Sequence, residues 1–533
     1  MTTVSLQGLP TMARINVRTG WKGLTLWVVG LLAMMLMTTT SITALYDTPT
    51  KLRGYAESVG GDAMLMLNGK VAGLGSLGGV IANEFGFILS FGIPLMAIAL
   101  TARGTRKDEE AGRLELLLAA RIGRHAPILS AVLVASAALA LTGLGCAVAM
   151  IAAGVDAGGA VLYGAGVTGL GFVFVGLTAV AAQVFEHNRA VWGAGLGLAV
   201  VSYLLRGLGA TGDNALLWLS PLGWVDEVRP FGEARAWPLL LALMTGAVLV
   251  ASAFWLSTRR DVGSALVQPR GSKPEASAFL RSPVGLAWHE HRGAVVGWTV
   301  GAVALMATYG SLTNEVLDAI EANPAIGQMM GTNPEVADDF LAQVMSTFVM
   351  MLAMLVAAFA VMAIGSLRAE EGTGRMEAQL SGHRSRWAWL GVHVAVVAAG
   401  MLVVGGAGAL ALGWSSAAST GEQEWVGEIL VGALAFLPAA VVFLALTVVL
   451  VGLAPRLRGL AWLAFGAAAV LAYLGPGFDL PTWLVDGSPF QAVGTDVVSD
   501  GMDVTGGVVL LALTGAGLAA GFVGFRARDI PRS

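Results

Sequence analysis

Twelve apolar runs, each long enough to cross a bilayer as a helix, restrict this chain more than any other feature. They fall at about 22–46, 79–101, 127–153, 158–182, 191–208 and 237–258, then at about 293–311, 340–366, 388–414, 427–451, 459–475 and 504–525. A helix needs about 20 apolar residues to cross the hydrocarbon. There, every backbone N–H and C=O must be satisfied within the protein, so runs of this length become helices. Charged side chains make up 12% of the chain, against about 25% in soluble proteins, and little sequence is left for a soluble domain. The reading is an all-α polytopic membrane protein with about twelve transmembrane helices in two pseudo-symmetric six-helix halves, residues 1–265 and 266–533. A fused cytosolic enzyme is excluded.

Charge gives the orientation. Basic residues near span ends resist translocation and mark the cytoplasmic side. The stretches 1–22, 102–126, 183–190, 256–292, 367–387, 452–458 and 526–533 hold 25 of the 31 Lys and Arg residues but only 12 of the 35 acidic ones. Both termini are therefore expected in the cytoplasm, and the first span reads as retained, its apolar core being too long for a signal peptide. The net charge of −4 gives no reason to expect nucleic acid, and the single cysteine, Cys146, allows neither a disulfide nor a cysteine metal site. The 26 Arg against 5 Lys fit a bacterium with a GC-rich genome.

The two loops after the second and eighth runs repeat without a gap. Residues 106–124 and 368–386 agree at seven of 19 positions: Arg106/Arg368, Glu109/Glu371, Gly112/Gly374, Arg113/Arg375, Glu115/Glu377, Leu118/Leu380 and Arg124/Arg386. Chance would give roughly one or two at ordinary composition. Ser220-Pro221 returns as Ser488-Pro489. Six spans is an even number, so both copies enter the membrane from one side and both loops face the cytoplasm. Two like surfaces suit a two-fold symmetric soluble partner. Glu109 and Arg113 stand four apart, a spacing at which they pair on one helical face. Leu114, Leu117, Leu118 and Ile122 form an apolar stripe; a lipid-surface helix would show one too, but would not need the same Glu-x-x-Gly-Arg-x-Glu order twice.

These loops resemble the signature of the ABC-2 type exporter permeases: an acidic pair, a Gly, Leu-Glu or Met-Glu, then Leu-Leu. The matching residues are Glu109, Glu110, Gly112, Leu114, Glu115, Leu116 and Leu117, and in the second copy Glu370, Glu371, Gly374, Met376 and Glu377. Ala378 and Gln379 replace the Leu pair there. The segment SPLGWVDEVRPFG, residues 220–232, is similar to a segment of fused, twelve-span actinobacterial antibiotic or polyketide exporters. The resemblance implies that the loops are coupling helices on which an ABC ATPase subunit docks, a homodimer, through Glu109, Glu110, Gly112, Arg113, Glu115, Leu118, Glu370, Glu371, Gly374, Arg375, Glu377 and Leu380. It also implies interfacial connecting helices at 5–22 and 277–292, and a substrate route lined by the second and fifth spans of each half. On those spans Phe85, Phe87, Phe91, Phe348, Met351 and Met354 are the candidate contacts, since methionine and aromatic groups accept varied apolar shapes.

No lysine sits in a phosphate-loop pattern. ATP and Mg are therefore expected on the partner, with no cofactor in this chain and no enzymatic activity of its own. The expected function is the permease of an ATP-driven exporter that moves an apolar or amphipathic small molecule, such as a drug or antibiotic, across a bacterial plasma membrane by alternating access. The alternative is an ion-coupled secondary transporter of the major facilitator kind. Its loop motif is approached by Gly104, Asp108, Gly112 and Arg113, but the spacing is one residue too long. Proton relays also need ionisable groups within the spans. Only Glu84 and Arg206 are candidates, both near span ends, where snorkelling to water is the ordinary explanation. His289, Glu290 and His291 do not make a metal site, because i and i+2 point apart on a helix. Gly193 and Gly197 have the GxxxG spacing of close helix packing.

Overall fold

The computed structural model describes residues 6–59, 62–118, 122–260, 264–267, 277–314, 317, 335–367, 371, 375–380, 385–474 and 481–528. Among them helix is the only extended regular element, with one isolated bridge between Phe185 and Val267. Among the described residues eleven helices are long and apolar enough to cross a membrane. The chain divides into two compact units, Met1–Ser272 and Lys273–Ser533.

In the first unit, α1 (Leu9–Leu45), α2 (Pro49–Ser58), α3 (Asp62–Asn68) and α4 (Leu77–Ala102) lead to a short helix of the loop, α5 (Arg113–Leu118). Then follow α6 (Ala126–Ala152), α7 (Ala157–Val184), α8 (Asn188–Thr211), α9 (Pro221–Asp226) and α10 (Trp237–Ser257). Helix starts carry local signals: Ser76 Oγ accepts from Gly79 N at the head of α4, and Asp156 Oδ2 from Gly159 N at 2.8 Å at the head of α7, satisfying amides that have no intrahelical partner. α6 and α7 pack side by side with Gly143 backed onto Gly164, where a β-carbon on either would meet the other's carbonyl. Gly193 and Gly197, by contrast, have open space around them, so the GxxxG expectation falls on the wrong pair. Spacing alone does not say which face of a helix meets a neighbour.

The second unit has α11 (Pro283–Ser311), α12 (Glu335–Gly365), α13 (Arg375–Leu380), α14 (Arg386–Thr420), α15 (Glu424–Ala435), α16 (Leu437–Leu453), α17 (Gly459–Leu474) and α18 (Val504–Ala527). α11 runs along α14, and α16 along α18. α15 and α16 divide one apolar run at Phe436, just before Pro438, which has no N–H for the helix ladder. In the run at 459–475 the described residues form α17, 16 residues or about 24 Å of helix, and residues 475–480 lie outside the described ones. Among the described residues eleven helices are long and apolar enough to span, and α17 is a shorter apolar helix in the place of the eleventh of the twelve expected runs.

The expected connecting helices are not separate elements. α1 continues unbroken for 37 residues, about 55 Å, so residues 9–22 extend the first span. Residues 283–292 likewise form the first turns of α11. The prolines of these stretches, Pro10 and Pro283, stand in the first turn of α1 and of α11, where proline opens a helix without interrupting it.

Candidate functional site

The loop after α4 begins with an unusual backbone. α4 runs into a π-helical turn, Arg103–Lys107, and then a single turn, Asp108–Glu110. Wide turns of this kind shift the register of the side chains that follow. Arg106 and Glu109 are thereby carried inward, their side chains 2% and 4% exposed. Gly112 then takes φ 68, a left-handed conformation that lets the chain leave one helical turn and start another.

Glu109 sits between two guanidinium groups. Arg106 Nη1 donates to Oε2 at 2.9 Å, and Arg260, just past α10, donates to both carboxylate oxygens at 2.6 and 2.9 Å. Two-pronged charge-assisted bonds of this kind are the strong ones. The surplus positive charge is spread over polar oxygens: Arg106 Nε donates to Glu186 O at 2.5 Å, and Arg260 Nε to Gln183 Oε1 at 2.9 Å. Arg124 closes the other end of the loop by donating to Ser257 O at 2.9 Å and to Arg260 O. The loop is thus fastened to the end of the last helix of its unit.

The second unit repeats the fastening. Arg528, just past α18, donates to Glu371 Oε2 at 3.0 Å, and Arg386 donates to Arg526 O and Arg528 O at 3.2 and 2.6 Å. Glu371 and Arg386 are the repeat partners of Glu109 and Arg124. Arg260 and Arg528 are 268 positions apart, the same offset as Ser220 and Ser488. That offset was readable in the sequence, but the loop repeat has an offset of 262 and the two arginines lie far outside it.

These contacts redistribute the expected docking residues. Glu109 and Glu371 are turned inward. The pairing expected between Glu109 and Arg113 does not form: Arg113 Nη2 meets Asp108 Oδ1 at 3.1 Å instead, because the π turn and the bend at Gly112 break the single helix that the spacing presumed. Glu110 is exposed, and its Oε1 accepts from Asn188 N at 2.9 Å at the head of α8, a favourable place for an anion. Arg113 and Glu115 are exposed, and Leu114, Leu117 and Ile122 are half-buried. Leu118 ends α5. In the second loop Glu377 is half-buried on α13, a helix that Arg375 opens and Leu380 closes. Glu370 and Gly374 lie outside the described residues. Gln379, which breaks the Leu pair, donates to Glu290 Oε1 at 3.1 Å and accepts from Trp389 Nε1 at 2.6 Å. Glu290 lies 3.8 Å from His393, itself 3.1 Å from His291. A polar chain thus joins α13 to α11 and α14.

The candidate route residues separate. Phe87 and Phe91 on α4 cluster with Tyr203 on α8, ring centroids 6.3 and 4.8 Å away. Phe85, two residues before Phe87, is 1% exposed and belongs to the packed core. Phe348 stacks on Tyr309 at 4.7 Å, and Met351 and Met354 are half-buried.

The two in-span ionisable groups also diverge. Glu84 is exposed and accepts from Tyr55 at 2.5 Å. Arg206 does not snorkel: it is 2% exposed and donates to Leu67 O, Asn68 O and Ser90 Oγ at 2.6, 3.2 and 3.0 Å. Those acceptors keep the guanidinium inside the bundle. Asp226 stands 4.0 Å from it, and burial pushes that carboxyl up to about 6, against the opposing pull of Arg206.

A long-helix bundle of this composition, with its charged groups gathered in the loops, defines a polytopic membrane protein. The chain belongs to a family of drug-efflux permeases. The family described as "Multidrug efflux system permease Rv1217c, C-terminal domain" matches residues 9–256 and 280–526. The multidrug efflux system permease protein Rv1217c of Mycobacterium tuberculosis is 33% identical over 530 residues, covering 97% of this chain and 94% of that protein.

Proposed function

We propose that this chain is the membrane permease of an ATP-driven exporter of the ABC-2 type, within the fused actinobacterial subgroup, and that it moves apolar or amphipathic drugs out across the plasma membrane. A separate ATPase, a homodimer, docks on the 103–125 and 366–385 loops, which face the cytoplasm together with both termini. The observation that carries this reading is the doubled fastening: in each unit the loop is tied by a Glu–Arg pair to the end of that unit's last helix. A push on the loop is therefore delivered to a spanning helix rather than lost in a slack connection. Membership in the efflux permease family supports the direction of transport.

In the mechanism, ATP-driven closure of the partner displaces both loops, and alternating access follows as the spanning helices move with them. Glu110, Arg113, Glu115 and Glu377 are assigned to the docking face. Glu109 and Glu371 act behind it as positioning residues. The test is reconstitution of the purified chain with the candidate ATPase. ATP hydrolysis should rise only when both proteins are present, and E115A with E377A should reduce the stimulation about tenfold, the effect of losing about 1.4 kcal/mol of docking energy. Unchanged stimulation in that double variant would remove the docking assignment.

A further inference from the structure

The first unit contains a cavity of about 50 Å³ at the end of the bundle away from the 103–125 loop, between α4, α7, α8 and α9. A single water needs about 10–15 Å³, so there is room for several atoms. Leu89, Leu162, Leu222 and Val225 supply apolar wall. The polar lining is Asn68, Lys70 and Ser90 together with three further side chains: Tyr163, Arg206 and Asp226. Each of the latter three keeps one buried polar atom without a hydrogen-bond partner, namely Tyr163 Oη, Arg206 Nε and Asp226 Oδ2. Tyr163 is 7% and Arg206 2% exposed, so bulk water does not satisfy them. Buried polar atoms left unpaired cost about 1–3 kcal/mol each, and three around one small space call for an occupant.

Geometry narrows its chemistry. Arg206 Nε, a donor, and Asp226 Oδ2, an acceptor, are 4.0 Å apart, too far to bond each other. One oxygen about 2.8 Å from both would accept from the first and donate to the second, which is what a hydroxyl does. The charges of Arg206 and Asp226 cancel, and Lys70 at the cavity edge is engaged by Asp213 at 2.7 Å. The space therefore favours a neutral group over an ion. The backbone reinforces the arrangement: Gly69, at φ 81, lies where a β-carbon would run into the Asp226 carboxylate. A general structural need would appear in both halves of a repeat. Yet the offset that pairs Ser220 with Ser488 sets Gly494 at the place of Asp226, and the residues matching Arg206, 473–476, are Tyr, Leu, Gly and Pro.

The geometry points to a binding site for the hydroxyl-bearing end of a neutral amphiphile, held by Tyr163, Arg206 and Asp226 in the first unit only. The site deepens the export reading by giving a substrate class, and it is testable without the ATPase. The probe is a diazirine-bearing medium-chain alcohol, photolysed with the full chain in a hydroxyl-free detergent, with the methyl ether of the same probe as control. Expected is cross-linking to the 62–72 or 220–232 segments, at least about tenfold weaker for the ether and for Y163F, the weight of one hydrogen bond of about 1.4 kcal/mol. Y163F removes only the hydroxyl and keeps the ring, and D226A gives an independent variant. Melting temperatures check that both fold. Competition by diacylglycerol, a neutral lipid with a free hydroxyl, would identify a lipid as the source of the hydroxyl, and competition by a soluble neutral hydroxylated drug alone would identify an exported compound. Equal labelling by alcohol and ether, or undiminished labelling in both folded variants, or none at all because the cavity holds water only, would overturn the site. Loss of the ATPase response with the labelling intact would count against the export reading alone.

Discussion

Glu109 and Glu115 are six residues apart on one loop and have opposite surroundings. The first is 4% exposed between Arg106 and Arg260, and the second faces solvent. Removing one partner of a buried ionic cluster costs about 3–5 kcal/mol, because the remaining charges stay buried without an answer. Glu109→Gln should therefore lower the melting temperature of the solubilised chain by about 3–5 °C, whereas Glu115→Ala should change its stability by no more than about 0.5 kcal/mol. Both should weaken ATPase coupling, so scanning calorimetry separates the proposed positioning residue from the proposed docking residue. Asp226 gives a pH signature. Its carboxyl holds a proton up to about 6 in the fold, against 3.8 for the ordinary group. The folded state therefore binds more protons than the unfolded one between those values. This stabilising contribution is complete below about 3.8 and is lost as pH rises to about 6. Melting temperatures measured from pH 4 to 7 should fall more steeply with pH for the natural protein than for D226N.

At the scale of elements, the bend between the two short turns of the first loop decides how α5 and Glu115 are presented to solvent. Gly112 at φ 68 has nothing within 4 Å of where a β-carbon would stand. Gly112→Ala would meet no clash, only the left-handed backbone penalty of about 1–2 kcal/mol. The expected result is a modest loss of thermal stability and a larger loss of ATPase stimulation, since relaxing the bend re-aims α5 and Glu115. A variant as well coupled as the natural protein would show that the bend does not set the docking face. Helix contacts have the same dependence on a few close approaches. α6 and α7 meet at Gly143 and Gly164, as helices do in a solvent that offers no hydrophobic drive between them.

For the whole molecule, the doubled layout leads to a topological prediction. With both loops on the cytoplasmic side, a membrane-impermeant thiol reagent should label Glu115→Cys and Glu377→Cys in inverted vesicles and neither in intact cells. The natural Cys146 is fully buried, so the background is low. Labelling of the two positions from opposite sides would dismiss the parallel repeat and the two-fold partner with it. The repeated loop itself was legible in the sequence, yet its seven identities carry two different duties. Glu109, Arg124 and their repeats fasten the loop inward, while Arg113 and Glu115 face out.

The helices are written in the order of residues, because apolar runs in hydrocarbon have one way to pair their backbone groups, and that pairing is local to each run. That order also holds the loop repeat and the uneven sharing of charge among the loops. The fate of individual charges came from the packing of the helices. Glu109 finds Arg260 across 151 positions, and Arg206 finds Leu67 across 139. Such partners are set by how helices stack, which no local pattern encodes. The same stacking put Phe85 in the core and Phe87 beside Tyr203, although the two residues belong to one run.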